Sequence, residues 1–323
     1  MIVVAKRALI YGVSGQDGAY LAKLLLKNGY EVIGASRDAH VASFANLNRL
    51  GITGEVKKVS VALNDFRSVL QSLVQLKPDE IYNLAGQSSV GLSFEQPVET
   101  LESISVGTLN ILEAIRFSGQ PIRFYNAGSS ECFGDTQGVA ADEQTPFRPR
   151  SPYAVAKSAA YWEVANYREA YQLYACCGIL FNHESPLRPA RFVTQKIVQA
   201  ACRIASGRSE RMQLGCIDIA RDWGWAPEYV VAMWLMLQQD VPEDFVIATG
   251  QTNTLQSFVR TAFEYVGLDW QEHVDIDSSL YRPSEILWNA ANPEKAERKL
   301  GWKASVCMQE VVKSMIDAAK STV

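Results

Sequence analysis

Through the first half of the chain, short apolar runs alternate with stretches whose apolar residues recur at helical spacing. Arg7-Ala8-Leu9-Ile10-Tyr11 reads as a short buried strand. The glycine turn Gly12-Val13-Ser14-Gly15-Gln16-Asp17-Gly18 follows, and residues 19–26 then repeat at helical period. Further strands are predicted at 31–35, 55–59, 80–85, 122–127 and 174–181, with helices between them, notably over 98–118 and 152–171. Past residue 181 the alternation breaks into isolated helices and short strands.

Strands that alternate with helices predict a parallel sheet covered on both faces. The fold class is therefore α/β: a Rossmann-type doubly wound parallel sheet with a smaller C-terminal α/β substrate-binding part. The division expected is a dinucleotide-binding domain over 1–181, joined by segments near 226–250, and a mainly substrate-binding domain over 182–323. Ligands in such sheets bind beyond the carboxyl ends of the strands. Gly12, Ala85-Gly86-Gln87-Ser88, Ser129-Ser130-Glu131 and Asn182-His183-Glu184 all fall at such ends.

Composition narrows the class. A chain of 323 residues, 48% hydrophobic, can build a large core, and a formal charge of −4 without a basic block argues against nucleic acid as a partner. No apolar run reaches the roughly 18 residues of a membrane span. Met1-Ile2-Val3-Val4-Ala5 is too short for a signal peptide and leads directly into the first strand. Six cysteines without Cys-x-x-Cys spacing read as reduced thiols in a cytoplasmic protein. His40, His183 and His273 are isolated, so no metal cluster is expected.

Three motifs carry chemistry. Gly12 and Gly15 allow a tight turn and close approach of a pyrophosphate, and Gly18 lets the following helix pack on the strand. After the second strand, Ser36-Arg37 suits the 2′-phosphate of NADP, although Asp38 could neutralise Arg37 or meet the ribose itself. Tyr153 and Lys157 stand four apart, on one face of a helix. A lysine ammonium near a phenol favours the phenolate, which can take a proton from an alcohol as hydride leaves the same carbon.

Together these residues resemble the extended short-chain dehydrogenase/reductase family, and within it the GDP-mannose 4,6-dehydratases. The resemblance runs nearly end to end. It rests on Gly15-Gln16-Asp17-Gly18, Ile81-Tyr82-Asn83-Leu84-Ala85, the Tyr153/Lys157 pair, the run from Gly178 to Pro186, Arg221-Asp222-Trp223-Gly224 and Ala232-Met233-Trp234-Leu235-Met236. It implies an NADP-dependent elimination in which the cofactor is restored each cycle. Tyr153 would take the proton of the sugar 4-OH as hydride leaves C4, Ser129 would hydrogen-bond the 4-oxygen, and Lys157 would also hold the nicotinamide ribose. Glu131 would remove the C5 proton and help expel the 6-OH as water before hydride returns to C6.

By the same resemblance the cofactor would meet Gly12, Ser14, Gly15, Gln16, Asp17, Gly18, Arg37, Leu84, Ala85, Tyr153, Lys157, His183 and Arg188. The nucleotide-sugar, GDP-mannose, would meet Ser88, Asn182, Lys196, Arg221, Arg282 and Glu285, and the assembly would be a homodimer or homotetramer. A bland reading pairs Arg282 with Glu285 as a surface ion pair.

Departures fall on ligand contacts. Ser60-Val61-Ala62-Leu63 lacks the acidic residue that usually meets adenine, and Asp38 replaces the second of two arginines that help build a tetramer contact. Gln195, Ala220 and Leu287-Trp288 stand where an arginine, a lysine and an aspartate-led segment are usual. Because Ser129 stands in place of a threonine, a nucleotide-sugar 4-ketoreductase or epimerase is the alternative activity. A nucleotide-binding homologue without turnover is the alternative of another class.

Overall fold

Parallel strands covered on both faces bury side chains in both directions. β1 (Arg7–Tyr11) does so from Ala8 onward. The computed structural model describes residues 5–321, so residues 1–4 of the N-terminal stretch lie outside the described residues. The strands that follow are β2 (Glu31–Ser36), β3 (Lys57–Ser60), β4 (Glu80–Asn83), β5 (Arg123–Ala127), β6 (Ala175–Leu180) and β7 (Asn182–Glu184). The chain continues through β8 (Met212–Leu214), β9 (Ala220–Trp225), β10 (Phe245–Ile247), β11 (Thr252–Thr254) and β12 (Val274–Ile276).

Among the described residues the main sheet has seven strands in the order β3-β2-β1-β4-β5-β6-β10. Every pairing in it is parallel. The order reverses between β1 and β4, which opens a crevice at their carboxyl ends. Helix Gln16–Lys27 covers one face, buried through Ala19, Leu21, Ala22 and Leu25, and helix Ala226–Met236 packs beside it. Helices Phe66–Leu76, Gly107–Ser118 and Pro152–Tyr171 contribute to a second core, with Leu9, Ile81, Phe124 and Val164 among its members.

Strand ends shift from the sequence expectation by one or two residues, as where β4 stops at Asn83 rather than Ala85, and one helix is interrupted. β3 begins at Lys57, two residues after the predicted start, because its pairing with β2 begins at Ile33↔Lys57. As the sheet's edge it is only partly buried, so its apolar signal is weak. The helix expected over 98–118 is interrupted. Pro97–Leu101 passes into a π-helical turn at Glu102–Val106 before Gly107–Ser118 resumes the α-helix. That turn brings Ile104 against Tyr153, Ala156 and Ala160.

Beyond β6 a smaller part has its own core. β11-β9-β7 form a mixed three-stranded sheet, and β8 pairs with β12. Helices Val193–Ala205, Leu255–Tyr265 and Met308–Lys320 bury Ile197, Phe258, Phe263, Val312 and Met315 against Trp223. β10 returns the chain to the main sheet beside β6.

Candidate active site

The glycine turn is shaped by backbone contacts. Gly12 has φ +83, and a Cβ there would lie 2.8 Å from the Leu84 carbonyl and 2.9 Å from the Ala85 nitrogen. A Cβ on Gly18 would come within 2.6 Å of Val13 Cα. Gly15 N-caps helix Gln16–Lys27 without a side-chain bond, and its own N–H donates to the Gly12 carbonyl at 3.0 Å. Backbone N–H groups at such a helix start suit an anion, and this cradle fits a dinucleotide pyrophosphate. Ser14 is exposed, and its carbonyl accepts from Asn46 Nδ2 at 2.9 Å.

Gln16 and Asp17 turn into the protein. Gln16 Nε2 donates to the His183 carbonyl at 3.1 Å and its Oε1 accepts from Ser185 Oγ at 2.8 Å. His183 Nε2 lies 2.9 Å from Asp17 Oδ2, while Nδ1 lies 2.7 Å from the Phe181 carbonyl. Burial alone pulls the His183 pKa down, but the Asp17 charge and these hydrogen bonds outweigh it and leave it raised. For Asp17 burial pushes upward, and His183, Gln16 and Arg188 reverse it to a net lowering. The His183 ring stacks on Tyr229, with centroids 4.5 Å apart. Arg188 Nε lies 3.1 Å from Glu184 Oε2, and its guanidinium sits 3.7 Å from the centre of the Phe192 ring.

At the end of β2, Arg37 is exposed and forms a 4.0 Å ion pair with Glu99. The Asp38 carboxylate accepts from the N–H groups of His40 (2.8 Å) and Val41 (3.4 Å), closing its own turn rather than neutralising Arg37.

Beyond β5 the chain turns sharply. Ser129 caps the 3₁₀ turn Ser130–Phe133, its Oγ accepting from the Glu131 N–H at 3.3 Å. Helix Pro152–Tyr171 starts from Ser151, whose Oγ accepts from the Ala154 N–H at 3.1 Å, and carries Tyr153 and Lys157 one turn apart. Lys157 is buried, donates to the Ala127 carbonyl at 2.7 Å, and holds its ammonium 5.8 Å from the centre of the Tyr153 ring. Burial pushes the Tyr153 phenol up, opposed by a hydrogen bond to Ser129. Burial likewise lowers the Lys157 pKa. The lowered phenol expected from the spacing is thus outweighed by desolvation in this structure.

Arg221, Arg282 and Glu285 come together across β9 and the segment after β12. Arg221 Nη2 lies 3.5 Å from Glu285 Oε1, and Arg282 Nη1 lies 3.8 Å from the same oxygen. Arg221 is buried; burial lowers its pKa against the raising charges of Glu131 and Glu285, which places it beside the 3₁₀ turn. Asn182 opens β7 and is half-buried, whereas Lys196 is exposed on helix Val193–Ala205. Ser88 Oγ accepts from Arg191 Nη2 at 3.2 Å.

Two features escaped the sequence reading. Asn83 and Asn126 pair across β4 and β5, and Asn83 Nδ2 donates to Asn126 Oδ1 at 2.9 Å and to Thr108 Oγ1 at 3.2 Å. The repeated Tyr-Asn at the ends of both strands was the available signal. Asn289, far along the chain, donates from Nδ2 to the carbonyls of Ser130 and Gly134, both at 3.2 Å. Among the described residues no group of three or more His, Cys, Asp or Glu side chains could hold a metal ion.

A family model described as GDP-mannose 4,6 dehydratase matches residues 9–315. GDP-mannose 4,6 dehydratase 1 of Arabidopsis thaliana is 47% identical over 322 residues, 97% of this chain and 89% of that protein. The human GDP-mannose 4,6 dehydratase is 43% identical, covering 96% and 90%, and the Vibrio cholerae protein is 42% identical, covering 96% and 93%. Among solved structures, Thermus thermophilus UDP-glucose 4-epimerase in complex with NAD superposes with a TM-score of 0.86 at 24% identity, over 98% of this chain and 100% of that one. DesIV, a dTDP-glucose 4,6-dehydratase from Streptomyces venezuelae with NAD bound, gives 0.87 at 21% identity, over 98% and 97%. The structure of RMD from Pseudomonas aeruginosa complexed with NADPH gives 0.81 at 20%, over 99% and 100%. These structural likenesses carry the fold.

Proposed function

The chain belongs to the GDP-mannose 4,6-dehydratase family, and from that premise we propose that it removes water from GDP-mannose to give GDP-4-keto-6-deoxymannose. One observation supports this reading above the rest. The turn that carries Glu131 starts at the Ser129 cap, whose hydroxyl opposes the rise in the Tyr153 pKa, and the Glu131 charge acts on Arg221. A reductase working through tyrosine and lysine alone has no use for a carboxylate there, whereas an elimination requires a base at C5.

NADP is the cofactor we assign. Gly12, Ser14, Gly15 and Gly18, with Leu84 and Ala85, would hold its pyrophosphate side, and Arg37 the 2′-phosphate. His183 and Arg188 would border the nicotinamide half, with Gln16 and Asp17 fixing that border from behind. Held there, the nicotinamide would supply the hydride acceptor for sugar C4 and the hydride donor for C6.

Around it, Tyr153 takes the O4 proton, Ser129 orients that oxygen, and Lys157 holds the ribose and the charge of the phenolate. Arg221 and Arg282 would bind the diphosphate through charge-assisted hydrogen bonds, releasing Glu285 to meet ribose hydroxyls. Ser88, Asn182 and Lys196 would complete the substrate contacts.

We place the enzyme in the cytoplasm, where the free thiols of all six cysteines would persist. Among the described residues no helix is long and apolar enough to cross a membrane. A homodimer or homotetramer would bury the exposed Val98, Val106, Leu109, Val155 and Trp162 on the helical segment 97–118 and helix Pro152–Tyr171, which pack together. Sedimentation of Trp162→Glu against the parent tests this: an unchanged assembly would clear that face of the role.

Mass spectrometry of GDP-mannose after incubation is the decisive test. Loss of one water without net consumption of NADPH, and solvent deuterium at C5, are expected. Stoichiometric NADPH oxidation would establish the ketoreductase instead.

A further inference from the structure

We infer that Asn289 is a positioning residue that sets the Glu131 carboxylate for the elimination half of the reaction; the inference rests on the dehydratase reading. Its side chain is 2% exposed, and its amide nitrogen donates to the Ser130 and Gly134 carbonyls, which bracket Glu131 in the turn. The Cys132 carbonyl between them accepts from the Arg148 N–H at 2.8 Å. The Ser130, Cys132 and Gly134 carbonyls of this turn are thus held from elsewhere in the chain, while the Gly134 N–H closes it locally on the Glu131 carbonyl at 3.2 Å.

The amide oxygen of Asn289 is buried without a partner. An apolar side chain of similar volume would avoid that desolvation, so the two N–H donations are what the amide contributes here. The Asn289 backbone N–H donates to the Ala220 carbonyl at 3.1 Å, the same oxygen that accepts from Arg221 Nη1 at 2.9 Å. One residue therefore ties the Glu131 turn to the strand start that carries Arg221, and to the segment that carries Arg282 and Glu285. Tyr153 and Lys157 are held by their helix and the Ala127 carbonyl, and Ser129, which meets Tyr153, caps the near end of the turn, ahead of the two carbonyls that Asn289 holds.

The two half-reactions then depend on different supports. In the first, Tyr153 takes the O4 proton as hydride leaves C4. In the second, Glu131 takes the C5 proton, the C5–H electrons form the C5–C6 double bond, and Glu131 returns that proton to the departing 6-hydroxyl, which leaves as water. The hydride removed from C4 returns to C6, and the proton that Tyr153 took from O4, exchangeable with solvent, is given up to C5, which completes the product and restores the phenolate. Asn289 supports only the second.

Rapid mixing of holoenzyme with GDP-mannose separates them, by reading reduced-nicotinamide absorbance for the first step and mass-detected water loss for the second. Asn289→Asp keeps size and backbone bonding but lacks the N–H donors. It should leave the first rate and KM within about twofold while slowing water loss on the order of 10- to 100-fold, so that reduced cofactor accumulates. Should that variant not fold, Asn289→Ser, too short to reach both carbonyls, reads the same two rates. Both steps slowing together, or neither slowing, overturns the inference. Wild-type enzyme that removes no water from GDP-mannose overturns the dehydratase reading itself, and this inference with it.

Discussion

Arg37 leaves 89% of its side chain in solvent, with a distant Glu99 as its ion-pair partner. Such a pair is worth little, so the guanidinium is free to be recruited by a phosphate. Arg37→Ala should weaken NADP by roughly ten- to a hundredfold and NAD far less, measured by cofactor titration. Equal loss for both would mean the loop, not the charge, was damaged. His183 is the opposite case. Both of its ring nitrogens face acceptors, the Phe181 carbonyl and the Asp17 carboxylate, an arrangement that favours the doubly protonated ring. Its folded pKa is raised, so its share of stability is fully present below about pH 6.5 and is lost as pH rises through the folded value. The lowered Asp17 carboxyl contributes above about pH 3.9 and loses its share as pH falls through its own folded value. The pair is therefore strongest in mildly acid solution. His183→Gln should cost about 3–5 kcal/mol at about pH 5.5 and clearly less at about pH 8.5. Urea unfolding at the two pH values decides it, and a pH-independent loss would make His183 a packing residue only.

At the scale of elements, the first helix is fixed by what its glycines leave out. Gly18→Ala would place a Cβ 2.6 Å from Val13 Cα, against backbone that cannot swing aside. A loss of about 1–3 kcal/mol is expected by chemical denaturation, and a loss under about 0.5 kcal/mol would mean the helix can shift along β1. This turn was legible because the residues that make it are neighbours in sequence. So were Tyr153 and Lys157, which need only a continuous helix to meet. The π-helical turn at Glu102–Val106 was not legible, since its apolar spacing passes for that of the α-helices around it. Nor was Asn289, whose acceptors lie 159 and 155 residues away, or the closure of Glu285 on Arg221 across 64. Periodicity records which face of an element is buried, and carries no trace of which distant backbone carbonyl a polar side chain will find. The same limit explains the Tyr153 phenol. Spacing placed Lys157 beside it, but only the packed structure shows desolvation prevailing.

At the scale of the molecule, the chain leaves the main sheet after β6, builds β7 to β9, and comes back with helix Ala226–Met236 and β10. That helix buries Tyr229, Val230, Met233 and Met236 in the same core as Leu21 and Leu25 of the first helix. A fragment ending at residue 181 would hold the glycine turn, Tyr153 and Lys157, yet expose that core and the open edge of β6. It should aggregate or give broad, uncooperative melting in calorimetry, and a sharp transition would show that the later segments are dispensable to the sheet. The return of the chain at β10 also has a temporal meaning. A ribosome makes six strands of the sheet well before Phe245–Ile247, the seventh, can leave its exit tunnel. For that interval the nascent polypeptide carries every group proposed for hydride chemistry on a platform with an open margin, a species suited to capture by chaperones.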